Sequence, residues 1–125
     1  MGAALLTAGC EGTTKTFTPA ENGLDAGREF IDACYKGDFE RARFYMLPED
    51  SNAVFLKKNE AAFREKDKEQ RQLLRLASIN IRLVTEPNDS TVLMEYSNSA
   101  DTASQKLFVL RQNNQWLVDY KKSFQ

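Results

Sequence analysis

From residue 24 onward the apolar positions fall at helical spacing. Leu24, Gly27, Phe30, Ile31, Cys34 and Tyr35 recur every three or four residues, with Asp25, Arg28, Glu29 and Asp32 on the opposite side. The pattern predicts an amphipathic helix that stops at Gly37. Asp38 can cap a second helix in which Phe39, Ala42 and Met46 share one face, and Leu47 with Pro48 ends it. Glu49, Asp50 and Ser51 offer capping oxygens and negative charge for a third helix running through Val54, Phe55, Ala62 and Phe63. Its continuation over residues 57–72 is dense in charge of both signs, with Glu60 four before Arg64 and Asp67 four before Arg71. Such a run is a solvated face, and the helix is expected to fray or break before Leu73.

After Leu76 the period becomes two. Ile79, Ile81 and Leu83 alternate with polar residues and mark a strand with one buried face. Pro87, Asn88, Asp89 and Ser90 signal a turn, and Val92, Met94 and Tyr96 continue the alternation in a second strand. Residues 97–102 read as the next connection, 107–110 as a third strand and Asn113 with Asn114 as a turn; Trp116, Val118 and Tyr120 form one face of a fourth. Four successive antiparallel strands need cover on one face, and the helices are the only material to supply it. The expected fold class is therefore α+β, with three N-terminal helices in the concave face of a curved four-stranded sheet that forms an open-ended cone.

Composition narrows the chemistry. At 125 residues, with 42% hydrophobic and 28% charged, the chain fits one domain and one core. A formal net charge of -1 provides no field to collect phosphates, so nucleic acid is not expected as a partner. The sequence contains no histidine, which disfavours Ser-His and Cys-His catalysis and ordinary zinc sites. Cys10 and Cys34 alone make a poor metal site, and no metal or cofactor is expected.

The N-terminus reads as an address. A small apolar stretch ends at Cys10 and gives way to Thr-rich polar sequence, which resembles a lipoprotein signal with Leu6, Thr7, Ala8 and Gly9 before the cysteine to be lipidated. Nine residues precede Cys10 and none is basic, so residues 1–9 read as a truncated signal remnant and Met1 as an internal methionine. The alternative is a disordered leader with an incidental cysteine. Residues 10–23 form an expected flexible tether and 24–125 the cone domain. The resemblance implies a bacterial cell envelope location, periplasmic or cell-surface, with membrane lipid as partner through acylated Cys10.

The order of helices and meander resembles the nuclear-transport-factor-like superfamily, which shares the cystatin-like α+β cone. Residues 30–46, FIDACYKGDFERARFYM, are similar to the opening of a family of bacterial lipoproteins of unknown function in that superfamily, and residues 106–124, KLFVLRQNNQWLVDYKKSF, to its closing hairpin. Some superfamily members are isomerases or dehydratases that use a carboxylate with a His or Tyr inside the cone. Here strand parity points Asp119 and Glu95 away from the concave face, as solvated acids, so a non-catalytic domain is expected. Most aromatics are packing material, and Cys34 reads as a small hydrophobe. The subset Tyr45, Tyr96, Trp116 and Tyr120 is the candidate lining of a pocket for a small apolar ligand, an envelope partner being the alternative. The outer sheet face is a candidate homodimer interface.

Overall fold

The structure is a computed structural model that describes residues 16–124; Cys10, the signal remnant and the first part of the tether lie outside them. Helix α1 (Gly23–Lys36) starts where the Asn22 side chain accepts a hydrogen bond from the Asp25 N–H at 2.8 Å. It ends at Gly37, whose φ of 74° lets the next N–H groups fold back onto the carbonyls of Ala33 and Cys34. Helix α2 (Phe39–Phe44) is capped by Asp38 as the sequence indicates. Met46 does not continue it. Residues 45–47 instead run beside the last strand: Val118 N–H donates to the Tyr45 carbonyl and Leu47 N–H to the Val118 carbonyl, each at 2.8 Å. That pairing covers a sheet edge that would otherwise stay open.

Helix α3 (Asp50–Glu65) breaks at Lys66, before Leu73 as expected, and the chain then re-enters a helix, α4 (Lys68–Arg75). The cause is Asp67. Its carboxylate accepts from the Gln70 N–H at 2.8 Å while the Gln70 side chain accepts from the Asp67 N–H at 3.1 Å, a reciprocal cap that starts a new helix. Glu60 and Arg64 form the expected pair at 2.8 Å. No residue of α4 is buried; Leu73 on it is 59% exposed and Leu76, which caps it, 72%.

The sheet is the expected antiparallel meander in the order β1 (Ile79–Asn88), β2 (Thr91–Asn98), β3 (Asp101–Gln112), β4 (Gln115–Val118). Val92, Met94, Leu107, Val109 and Val118 face the helices and are buried. The expectation that Leu83 shares the inner face with Ile79 and Ile81 fails. Ile81 pairs with Tyr96 but Leu83 pairs with Glu95, so the register slips at Arg82 and turns Leu83 to the outer face, 51% exposed. The connection read at 97–102 shrinks to Ser99 and Ala100, because the Asn98 side chain accepts from the N–H groups of Ala100 and Asp101. Asn113 and Asn114 take left-handed backbones in the next turn, as the two-asparagine signal requires.

Strand β4 stops at Val118. Tyr120 therefore lies not on a strand but in a 3₁₀ helix, Tyr120–Phe124, and its ring packs edge-on against Phe30 at 5.0 Å. Asp119 was expected on a solvated face and is instead 2% exposed. Its carboxylate accepts from Lys121 Nζ at 3.0 Å, and the same ammonium reaches Glu49 at 2.7 Å. Buried Asn52 of α3 completes this corner, donating to the Leu47 carbonyl at 3.1 Å and accepting from the Lys121 N–H at 2.7 Å. Glu95 does stand on the outer face, opposite Lys106.

Replacing Asn52 with Ala orphans two backbone groups at a closed corner, each at the full desolvation cost of a buried polar group. The expected loss is about 3 kcal/mol in a urea titration, with the slope unchanged. A loss under about 0.5 kcal/mol, the size of an ordinary surface change, would show that Asn52 does not hold this corner.

Candidate functional site

The C-terminal end of α1, the β2–β3 turn and the faces of α3 and α4 surround a cleft of ≈ 370 Å³ at the mouth of the cone. Helix α1 contributes Cys34 and Tyr35, α3 contributes Asn59, and the turn contributes Asn98, Ala100 and Asp101. Lys66 and Leu73 close the side formed by the α3–α4 junction.

Its polar groups come in phenol and amide pairs. Asn98, 3% exposed, donates to the Tyr35 hydroxyl at 2.9 Å. Tyr96 donates to Gln105 at 3.4 Å, a long and weak bond, and Asn59 donates to the Tyr120 hydroxyl at 2.8 Å. Asn98 is held twice over, since its carbonyl oxygen also gathers two turn N–H groups. The cleft thus carries preset donors and acceptors on an apolar wall.

Burial sets the charge state. Desolvation pushes the Cys34 thiol up to about 12, against a smaller opposing pull from Arg41. Desolvation, with Cys34 nearby, pushes Tyr120 up to about 12 despite the hydrogen bond from Asn59. Tyr96 and Tyr35 are raised for the same first reason. Three phenols and a thiol therefore stay protonated near neutral pH. Asp101, exposed at the rim, is the one carboxylate among the lining residues.

The four residues singled out from the sequence do not converge. Tyr96 and Tyr120 sit close together behind the cleft, each one hydrogen bond from a lining amide. Trp116 lines a different cleft of ≈ 640 Å³ at the other end of α1, with Leu24, Val84, Val92 and Arg111, whose guanidinium lies 5.7 Å from the indole centre. Tyr45 lines neither. Its hydroxyl donates to the Thr18 carbonyl at 2.6 Å and its ring meets Phe44 edge-on at 4.9 Å. Tyr35, Asn98, Asn59 and Gln105 were missed. Tyr35 belongs to the aromatics read as packing, and Asn98 lies 63 residues from its partner and looks like any turn asparagine.

Among the described residues no three acidic, histidine or cysteine side chains gather as metal ligands, and no helix is long and apolar enough to cross a membrane.

Comparison with known proteins gives a fold. No family model matches the sequence, and no curated protein matches it. Among solved structures it is similar to the crystal structure of an NTF-2 like protein of unknown function from Shewanella oneidensis MR-1. The TM-score is 0.53 at 10% identity, over 78% of this chain and 91% of that one. The architecture is thus nuclear-transport-factor-like, an α+β cone with four antiparallel strands in a curved sheet.

The buried thiol and phenols make stability depend on alkaline pH. Unfolded, Cys34 and Tyr120 lose their protons near their ordinary values of 9.0 and 10.0, whereas the folded chain holds both up to about 12. The folded state binds more protons in that window, so their contribution is complete below the ordinary values and is lost as pH rises toward about 12. Urea midpoints measured from neutral pH upward should fall through this window, and Cys34→Ala or Tyr120→Phe should each flatten the fall.

Proposed function

We propose that this chain is a lipid-anchored protein of the bacterial cell envelope whose cone mouth binds a small ligand without transforming it. The observation that carries the reading is the cleft itself: preset, uncharged amide and phenol groups beside apolar side chains, with Lys66 and Asp101 as the opposite charges at its edge. Such a lining suits a neutral molecule with a flat apolar body and hydrogen-bonding atoms at its edge. An anionic ligand would gain only Lys66.

The isomerase or dehydratase alternative needs a carboxylate beside a tyrosine in the cone. Asp119 is buried, yet it faces Lys121 and the Asn52 corner and does not line the cleft. Asp101 does line the cleft and acts on Tyr35, but it stands exposed at the rim with its carboxylate accepting from the Ala103 N–H, and the buried thiol and phenols stay protonated near neutral pH. Self-association through the outer sheet face is the second reading, favoured by Leu83 standing half-exposed there opposite Glu95.

The anchor reading rests on the residues before Cys10 and on the acyl chains that cysteine would carry. A clickable fatty acid fed to cells should label the precursor's product, and Cys10→Ser should abolish the label. Binding is tested by thermal shift against neutral aromatic and apolar envelope metabolites, where a ligand at 100 times its dissociation constant adds about 2.7 kcal/mol. Tyr35→Phe should weaken a hit by about tenfold or less, the size of one hydrogen bond. Ala100→Trp should block it while leaving the unliganded midpoint near that of the parent. No shift across the panel, with a concentration-dependent dimer in sedimentation, would replace binding by self-association.

A further inference from the structure

The segment counted with the tether is not all free. Phe17 packs against Phe44 at 5.4 Å, Tyr45 holds the Thr18 carbonyl, and Ala20 packs on the core. These contacts strap the chain to one end of the molecule. The α1 end nearest them is its N-terminal one, because the chain runs back along α1 from Gly37: Arg41 bridges Glu29 and Asp32 at mid-helix, each at 2.7 Å, and Tyr45 beyond it feels Glu29 and then Asp25 in the first turn. Trp116 belongs to the same end, since a Cβ on Gly23 would lie 3.2 Å from its ring. The ligand cleft opens at the other end, at Cys34 and Tyr35, and the 14 residues of α1 separate the two by about 20 Å.

This geometry limits the anchor. From Cys10 to Thr16 there are only the five residues 11–15, which reach at most about 20 Å when fully extended. The strap end also presents what an interface accommodates: half-buried Phe17, Phe44, Leu24 and Trp116, with Arg111 exposed. Glu86 and Asp89 beside Arg111 cancel any preference for anionic lipid, so the anchor rather than charge sets the placement.

We infer that the strap orients the anchored domain, with the Phe17, Phe44 and Trp116 end against the bilayer headgroups and the ligand cleft facing away from the membrane. The cleft then takes its ligand from the aqueous side and not from the lipid phase. This rests on the lipid-anchored binding reading and gives it a direction.

Trp116 is the sole tryptophan and so reports its own end. Full-length chain is coupled through Cys10 to a maleimide phospholipid on phosphatidylcholine vesicles that carry a nitroxide on the headgroup. The coupling is chemical, so the outcome does not depend on whether cells acylate Cys10, nor on any ligand. Trp116 emission should be lost to quenching. In Trp116→Phe combined with Ala100→Trp, or with Leu73→Trp, the indole sits at the mouth and should keep its emission. Circular dichroism confirms that each variant folds, and the two mouth positions guard against failure of one. Phe17→Ser with Tyr45→Phe releases the strap and should shrink the difference between the ends. Equal quenching at both ends, stronger quenching at the mouth, or a difference unchanged by releasing the strap would overturn the inference.

Discussion

The close approach of α1 to the concave sheet face is the constraint from which the rest follows. A Cβ at Gly27 would lie 2.2 Å from the Met94 sulfur, and one at Gly23 would lie 2.5 Å from a Val92 methyl. Two missing side chains let the backbone sit where side chains normally hold a helix off a sheet. The gap is filled by Phe30 and Ile31 against Met94, Leu107 and Val109, all buried. Burying each of the larger ones contributes about 1.5–3 kcal/mol. With α1 fixed along the cone, its N-terminal end faces the strap and Trp116 and its C-terminal end faces the cleft.

The chain closes around this seat from both sides. After Gly37 the turn into α2 is tight enough that a Cβ there would meet the Phe63 ring at 2.6 Å, and at φ 74° any other residue would also be strained. At the far side, residues 45–47 pair with β4, and the corner of Asn52, Asp119 and Lys121 redirects the chain into the 3₁₀ helix. That redirection brings Tyr120 under Phe30 and Asn59 and so builds the back of the cleft. One buried asparagine thereby links edge protection to the site.

What the sequence made legible is what depends on neighbours along the chain. The helical rhythm marked the buried face of α1 and the alternation marked the inner face of β2, while Asp38 stood out as a cap and Asn113 with Asn114 as a turn. What it hid are interruptions and long-range polar contacts. Parity counting assumes an unbroken ladder. A slip at Arg82 moves Leu83 outward, and a strand ending at Val118 frees Asp119 and Tyr120 from the alternation that placed them. Asp67 was read through Arg71, four residues on, although a carboxylate just before a helix has nearer donors in the first turn. The aromatic count pointed toward a pocket without ordering its members. Whether a tyrosine packs, straps or lines a cleft is set by partners such as Asn98 for Tyr35 and Thr18 for Tyr45, 63 and 27 residues away.

The absence of histidine becomes informative once the cleft is placed. General acid-base work is easiest with a group that changes protonation near neutral pH, and burial does not make one from the thiol and phenols behind this cleft. Desolvation drives thiols and phenols upward, away from neutrality, and only a charged neighbour could bring them back. Arg41 does pull Cys34 down, but it is already engaged by Glu29 and Asp32, and desolvation outweighs it. The sole buried carboxylate near the fourth strand is neutralised by Lys121 at the opposite side of the 3₁₀ turn. On the proposed binding reading, a cleft so arranged distinguishes ligands by shape and by the match of their hydrogen-bonding edges to its amides.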